Sequence, residues 1–386
     1  MLINCDLHIH GRFSIGTSRS LTFESLAFSA KRKGLHLLGT GDILHPEWRR
    51  SFTSRAKEVS PGIYEINNVN FVCTAEVEDE ERVHHLLIFP DIESAEELSS
   101  SLDASALKRD GRPKLHLSAE KIASYCEKYG ILIGPSHAFT PYTAMYAAHS
   151  SVKSCYQGMS EYISFIELGL SADSSYADRI EELSPLVFLS NSDSHSADRI
   201  AREFNIIEMD SLDFPSLERS LSRYSGAVTV NAGFYPQEGK YNETACARCY
   251  RHYKIEDAVR YEWRCTCSGR IKKGVVDRVN ELATYDMPRH PPHRGRYIHL
   301  VPLETLVSLG SGEHSRKKVA RIIDLLVAAF GSEIKTLLSA TPEEIGRVAG
   351  SGVGRVFRLY REEKLEIIPG GGGEYGRIKL PADKNI

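Results

Sequence analysis

The sequence predicts an α/β fold over residues 1–235, followed by two smaller regions of different character. Two observations carry the prediction. Short apolar runs alternate with amphipathic stretches up to about residue 232, and the apolar runs end in His, Asp and Glu. Such alternation fits an α/β barrel, whose C-terminal strand ends build the active site, or a doubly wound sheet, which gathers ligands at a switch point.

The elements follow in order. Strands are expected at residues 2–5, 35–39, 71–76, 85–89, 132–135, 165–168 and 187–190, and helices at 22–33, 94–102, 118–129, 176–183 and 216–222. Residues 236–290 are short of apolar runs, basic and bear cysteines, so they form a separate small domain. Residues 291–386 read as a basic helical region, with HSRKKVARIIDLLVAAFG repeating its apolar residues near the helical period. The tail IIPGGGGEYGRIKL is a glycine loop leading to a short strand. No internal repeat is present.

Charge divides along the same line. The chain carries a net −3, but residues 1–243 hold 23 Lys+Arg against 34 Asp+Glu, and the remainder holds 25 against 17. An acidic first part and a basic second part suit an anionic polymer held by the second. No apolar run approaches the roughly 18 residues of a membrane helix, and no signal peptide precedes the first strand, so no membrane partner and a cytoplasmic location are expected. Cys5, Cys73, Cys126 and Cys155 are scattered, as thiols in a reducing compartment usually are.

The first strand runs into CDLHIHG, with Asp6, His8 and His10 at every second position. On a strand they share one face, opposite Leu7 and Ile9. Burying three polar groups without partners is costly, so the face is solvent-exposed, internally hydrogen-bonded or metal-binding. The later strand ends bear on the choice: GTGDILHP, TAEVED, RVHHLLIF, GPSHAF, FIELGL and SNSDSHS. Recurrent imidazole and carboxylate without cysteine suits Zn, Mn or Fe held with open positions.

This series resembles the PHP (polymerase and histidinol phosphatase) family of metal-dependent phosphoesterases. The resemblance implies a distorted (β/α)7 barrel with two or three divalent metals (Zn, Mn or Mg) at its strand ends. It implies His8, His10, Glu76 and Asp193 as ligands of a first metal. Glu76 would bridge to a second metal held with His85 and His137, His85 being preferred to His84 because it directly precedes the apolar LLIF. His195 would serve a third metal. The family's second motif usually reads Thr-Asp-His, whereas TGD places Asp42 there as a candidate ligand, with His45 nearby. Asp193, Glu76, His195 and Glu167 are the candidate catalytic residues, Glu167 as ligand, base or supporting group and His195 as a proton donor. Closely spaced metals would neutralise a phosphodiester's charge and lower the pKa of a water toward ~7.

Cys246, Cys249, Cys265 and Cys267 are spaced Cys-x2-Cys, fifteen residues, Cys-x-Cys. Two close thiolate pairs match a closed, structural tetrahedral zinc site. Basic and aromatic residues interleave around it, so Arg248, Arg251, Lys254, Arg264, Lys272 and Lys273 are candidate phosphate contacts. ATPEEIGRVAGSGVGRVFRLYREEKLE reads as helix, glycine turn, helix, placing Gly352, Gly354 and Arg355 at a candidate anion site similar to a helix–hairpin–helix element.

A PHP barrel, a four-cysteine knuckle and a basic helical region, in that order, resemble the endonuclease Q family. GTGDILHPEW, CARC…CTC and PGGGGEYG carry the likeness. It implies a DNA-repair endonuclease that nicks 5′ to hypoxanthine, uracil, xanthine and abasic sites, leaving 3′-hydroxyl and 5′-phosphate ends. Its implied partners are damaged DNA and other repair proteins such as a sliding clamp.

Overall fold

β1 (Leu2–Asp6) is the first of a series of short strands that lie side by side in a ring, in the computed structural model, which describes residues 1–381. It pairs in parallel with β2 (Leu37–Gly39), which pairs in parallel with the last strand of a meander, β3 (Lys57–Ser60), β4 (Ile63–Ile66) and β5 (Val69–Val72). Just past β5 the chain enters β6 (Thr74–Glu78), which is joined to the end of β2 by hydrogen bonds from Thr74 N to Thr40 Oγ1 and from Gly41 N to Thr74 Oγ1. β6 pairs antiparallel with β7 (His84–Ile88), and β7 with β8 (Leu132–Pro135). The Ala138 amide, just after β8, donates to the Glu167 carbonyl at the end of β9 (Phe165–Glu167), and β9 pairs in parallel with β10 (Val187–Leu189).

The ring closes through asparagine. Asn205 of β11 (Phe204–Glu208) accepts from the Ser190 amide and donates to the Ser190 carbonyl, standing in for a strand-to-strand ladder. β11 then pairs antiparallel with β1 and with β12 (Val228–Gly233). Ile3, Cys5, Leu37, Val72, Leu86, Ile88, Phe165, Val187, Leu189 and Ile207 converge in one buried cluster, so strands all round the ring share a core. This ring fits an irregular α/β barrel, one of the two arrangements the alternation allowed and the one the PHP resemblance implied. The hairpin β3–β4 and the strands β11 and β12 were not anticipated. The stretch expected as a helix at 176–183 is two separate turns, Ser174–Ala177 and Glu181–Leu183.

The described residues form two compact units rather than three. The first is Met1–Ala30, Leu35–Gly233 and Val275–Ile298; the second is Lys31–Gly34, Phe234–Gly274 and His299 onward. The expected boundary at residues 290/291 therefore does not match the structure. Val275–Ile298 belongs with the barrel, because Arg278 donates to the Tyr146 and His149 carbonyls and buried Arg294 pairs with buried Asp178.

In the second unit, β13 (Ala245–Cys246) and β14 (Ile271–Lys272) form the cysteine-bearing hairpin. The helices Leu303–Ser311, Arg316–Phe330, Glu333–Leu338, Pro342–Ala349 and Ser351–Arg361 enclose their own core around Leu306, Leu326, Ile345, Val353 and Phe357. Thr341 caps Pro342–Ala349 through a reciprocal box with Glu344. The expected glycine turn is shorter than the sequence suggests. Gly350 alone breaks the helices, at φ 99°, and Gly352 and Gly354 lie inside the next helix. A Cβ on Gly352 would meet the Gly310 carbonyl at 2.3 Å, and one on Gly354 the Pro342 carbonyl at 2.6 Å. These glycines let helices cross closely, and packing overrides their poor helix propensity.

The four-glycine run also has a packing role. Gly370 and Gly373 donate to the Gln237 and Lys240 carbonyls, Gly371 bridges Glu243, and a Cβ on Gly372 would lie 2.4 Å from the Cys246 carbonyl oxygen. The run leads from β16 (Glu366–Ile368) into β17 (Arg377–Lys379), which pair antiparallel. Among the described residues no helix is long and apolar enough to cross a membrane.

Candidate metal centre

Strand ends bring six of the predicted ligands to one place in the first unit. Three groups of side chains present donor atoms close enough for metal binding: His8, His10 and Glu76; His10, Asp193 and His195; and Glu76, His84 and His137. Glu76 and His10 each belong to two groups, so the three are contiguous. Glu76 Oε1 lies 3.0 Å from His137 Nε2, 3.2 Å from His84 Nδ1 and 3.6 Å from His8 Nε2. Its other oxygen lies 3.4 Å from His10 Nε2, and Asp193 Oδ1 is 3.1 Å from that same nitrogen.

The candidate ligand Asp42 sits as a support, and Glu167 takes the supporting one of its three expected roles. Asp42 accepts from His10 Nδ1 at 3.1 Å, and its second oxygen accepts from the Gly11 amide and the Ser14 hydroxyl. Glu167 accepts from His8 Nδ1 at 2.9 Å, from the His137 amide and from Asn191. Each carboxylate fixes one histidine so that its Nε2 faces the cluster. Glu167 is fully buried and spent on these bonds, so it is no base for a substrate. Asp6 lies apart from both histidines, accepting the Ser192 and Ala201 amides. His45 joins no metal group and stacks on Phe13.

His84, not His85, faces the centre. In the β6–β7 register Glu76 lies opposite Leu86 and Glu78 opposite His84, so these four share a face, while His85 lies opposite Val77 on the other. His85 accordingly bonds Tyr156 and Asp79. Counting back by twos from the core residues Ile88 and Leu86 reaches His84, and that signal was available in the sequence. We expect His84→Ala to lower metal content and activity and His85→Ala to lower only thermal stability. Elemental analysis of the two purified variants, with a melting curve, checks this.

The donor set fits divalent metal. His8 Nε2, His10 Nε2 and Asp193 Oδ1 are buried without a hydrogen bond of normal geometry. Burial opposes charge on every member, yet Glu167 and Glu76 push the His8 pKa up, Asp42 does the same to His10, and His84 and His8 hold Glu76 well below the carboxylate range. The cluster thus demands positive charge, which bound cations would supply in place of protons. His195 differs: burial and the charge of His10 lower its pKa, which favours the neutral imidazole that a ligand needs. Its side chain is 33% exposed and that of Asp193 29%, whereas the other ligands are nearly inaccessible, so these two mark the mouth. Sequence reasoning missed a third residue there, Arg112, whose Nη1 lies 3.1 Å from Glu76 Oε2.

In the second unit the four cysteines come together. Cys246 and Cys267 sulfurs are 3.5 Å apart, as are those of Cys249 and Cys265. Four sulfurs about 2.3 Å from one zinc sit roughly 3.8 Å from each other. Gly269 presses against the sulfurs, where a Cβ would meet Cys246 Sγ at 2.6 Å. Arg248 is tied to the Cys267 carbonyl and Ser268, and Arg251 to Thr266. Lys272 lies over Tyr241 and Lys273 over Trp263, and Lys254 precedes the helix Ile255–Arg260.

No family model matches the chain. A solved structure, the lesion-specific endonuclease PfuEndoQ from Pyrococcus furiosus, is 41% identical, with a TM-score of 0.93 over 99% of this chain and 96% of that one. The chain belongs to the endonuclease Q family. A second endonuclease Q structure, in complex with a 27-mer duplex bearing an abasic lesion at its active site, is also 41% identical, with a TM-score of 0.92 over 99% of this chain and 98% of that one. A Bacillus subtilis protein, YqxK, is 31% identical over 98% of this chain and 99% of its own length. An uncharacterised Methanocaldococcus jannaschii protein is 38% identical over 70% of this chain, and the match spans only 34% of that relative. Membership of the endonuclease Q family agrees with the barrel, the cysteine knuckle and the helical region in their observed order.

Proposed function

We propose that the protein is a metal-dependent DNA endonuclease that hydrolyses the phosphodiester 5′ to deaminated bases (hypoxanthine, uracil, xanthine) and to abasic sites, leaving 3′-hydroxyl and 5′-phosphate ends. The observation that supports it best is the contiguous ligand set built on Glu76 and His10, in a chain of the endonuclease Q family. His8, His10, Glu76 and Asp193 would hold one divalent ion, Glu76, His84 and His137 a second, and His10, Asp193 and His195 a third. Such ions, Zn, Mn or Mg, offset the phosphate's charge and acidify water when bound. The chain's own part is orientation: Asp42 and Glu167 fix the two imidazoles, and Asp193 and His195 stand where substrate enters. We assign a structural zinc to the four cysteines. Arg248, Arg251, Lys254, Arg264, Lys272, Lys273 and Arg355 are proposed phosphate contacts. A modified base is hidden in the stack, so the target nucleotide must be extruded. A DNA substrate fits the cytoplasmic location expected from the sequence.

The test is one gel. A labelled duplex with a single deoxyinosine or abasic site is incubated with and without Mn or Mg. A single metal-dependent nick 5′ to the lesion is expected. A mobility shift without cutting would favour a non-catalytic DNA-binding protein, and hydrolysis of a small phosphomonoester alone would favour a phosphatase.

A further inference from the structure

We propose that Arg112 is a catalytic residue that grips the non-bridging oxygens of the scissile phosphate at the mouth of the metal centre. The proposal rests on the endonuclease reading above. Arg112 lies in the loop between the helices Ala104–Arg109 and Ala119–Lys128. The chain pins this loop on both sides. Upstream, the Gly111 amide donates to the Phe13 carbonyl, and Asp110 Oδ1 accepts from the Ile15 and Arg112 amides. Gly111 is pressed so far into the ligands' supports that a Cβ would lie 2.1 Å from Asp42 Oδ2 and 2.4 Å from Ser14 Oγ. Downstream, the Pro113 carbonyl accepts from the Glu78 amide, and the Leu115 amide donates to the Glu78 carbonyl. A backbone so held delivers its side chain to one place.

That place is the edge of the ligand set. Among the described residues the guanidinium makes a single side-chain hydrogen bond, to Glu76 Oε2; the side chain is 25% exposed and feels the charge of Asp193. A guanidinium carries five donors in a planar fork, so the one bond to Glu76 leaves the fork with donors to spare for an oxyanion at the opening. Its charge is permanent. While Glu76 and Asp193 are bare carboxylates, that charge is balanced locally. Divalent ions on the same carboxylates would leave Arg112 facing excess positive charge in a largely buried setting. An arriving phosphodiester restores the balance, with one negative charge and two oxygens spaced to match the fork. Lysine at this position would keep the charge and lose the two-point grip.

Arg112→Ala and Arg112→Lys, compared with wild type, test this by single-turnover nicking, elemental analysis and binding. Binding is measured in a cleavage-dead Asp193→Ala background, to a lesion duplex carrying either the natural phosphodiester or a neutral methylphosphonate at the target linkage. We expect Arg112→Ala to keep its metal content and nick on the order of 10²- to 10³-fold more slowly, with Arg112→Lys recovering only part of the rate. We expect the methylphosphonate to weaken binding when Arg112 is present and to have little effect when it is absent. A nicking rate within a few-fold of wild type would overturn the proposal. So would loss of metal that accounts for the defect, or an equal methylphosphonate penalty with and without Arg112. A wild-type protein that does not nick sinks the endonuclease reading itself, and the binding arm still decides Arg112.

Discussion

Asp193→Ala is expected to abolish nicking while leaving duplex binding within a few-fold of the parent. Asp193 lies 3.1 Å from His10 Nε2 and 3.8 Å from His8 Nε2, and it joins His10 and His195 in one group of donors. Its backbone sits in the left-handed region, at φ 46°, secured by Arg202, which donates to the Ser192 and Asp193 carbonyls. The carboxylate is therefore held in place before any ion arrives. Without it, His8 and His10 keep Glu76 as their only carboxylate within the ligand set. Loss of charge stabilisation at a reacting centre costs 10²- to 10³-fold per group, and a residue proposed to hold two ions should cost at least the upper figure, about 10³. Apart from Arg112, the proposed DNA contacts lie beyond residue 243 and do not depend on it. Nicking of a labelled lesion duplex, a mobility shift and elemental analysis are the measurements. A near-wild-type rate would remove Asp193 from the ligand set.

Cys246→Ser should have the largest effect on stability. Cys246 is fully buried, starts the hairpin that carries the site, and its sulfur accepts from the Arg248 amide at 3.3 Å. The core around the cysteines is small, with Ala258 and Ile271 as its fully apolar buried members. So little apolar burial cannot order a knuckle alone, and a structural zinc supplies roughly 10 kcal/mol to folds of this kind. The variant should contain one zinc fewer per chain, melt earlier and bind DNA more weakly. Unchanged zinc content would refute the four-cysteine assignment.

The cluster of candidate ligands was largely readable in the sequence because each stands at a strand end, where alternation and chain turns are strongly patterned. His8, His10, Glu76, His137, Asp193 and His195 come together as their positions implied. Asp42 and Glu167 show where such reading stops. A carboxylate that binds an ion and one that steers an imidazole look alike in sequence, and the difference lies in which atom of the ring they reach. His84 and His85 are neighbours, so the choice between them depended on which face of β7 meets the core, and the apolar residues that follow encode it. Gly352 and Gly354 misled for a different reason: glycine signals a turn locally, but here it signals helices in contact. Arg112 carries no motif, and its importance arises only from a loop folded back across the barrel end.

The glycine run at 370–373 has a consequence for the order in which the protein is built. It supplies backbone partners to residues 237–243 and covers the strand that carries Cys246, though it is synthesised long after the last cysteine. On the ribosome, the cysteine hairpin must wait with exposed amides and carbonyls until residues 370–373 have emerged, more than 100 residues after Cys267. Residues 370–373 are thus a late-arriving wall of the knuckle. Chains cut short before residue 370 should be selectively vulnerable to proteolysis between residues 237 and 246, even with their barrel folded.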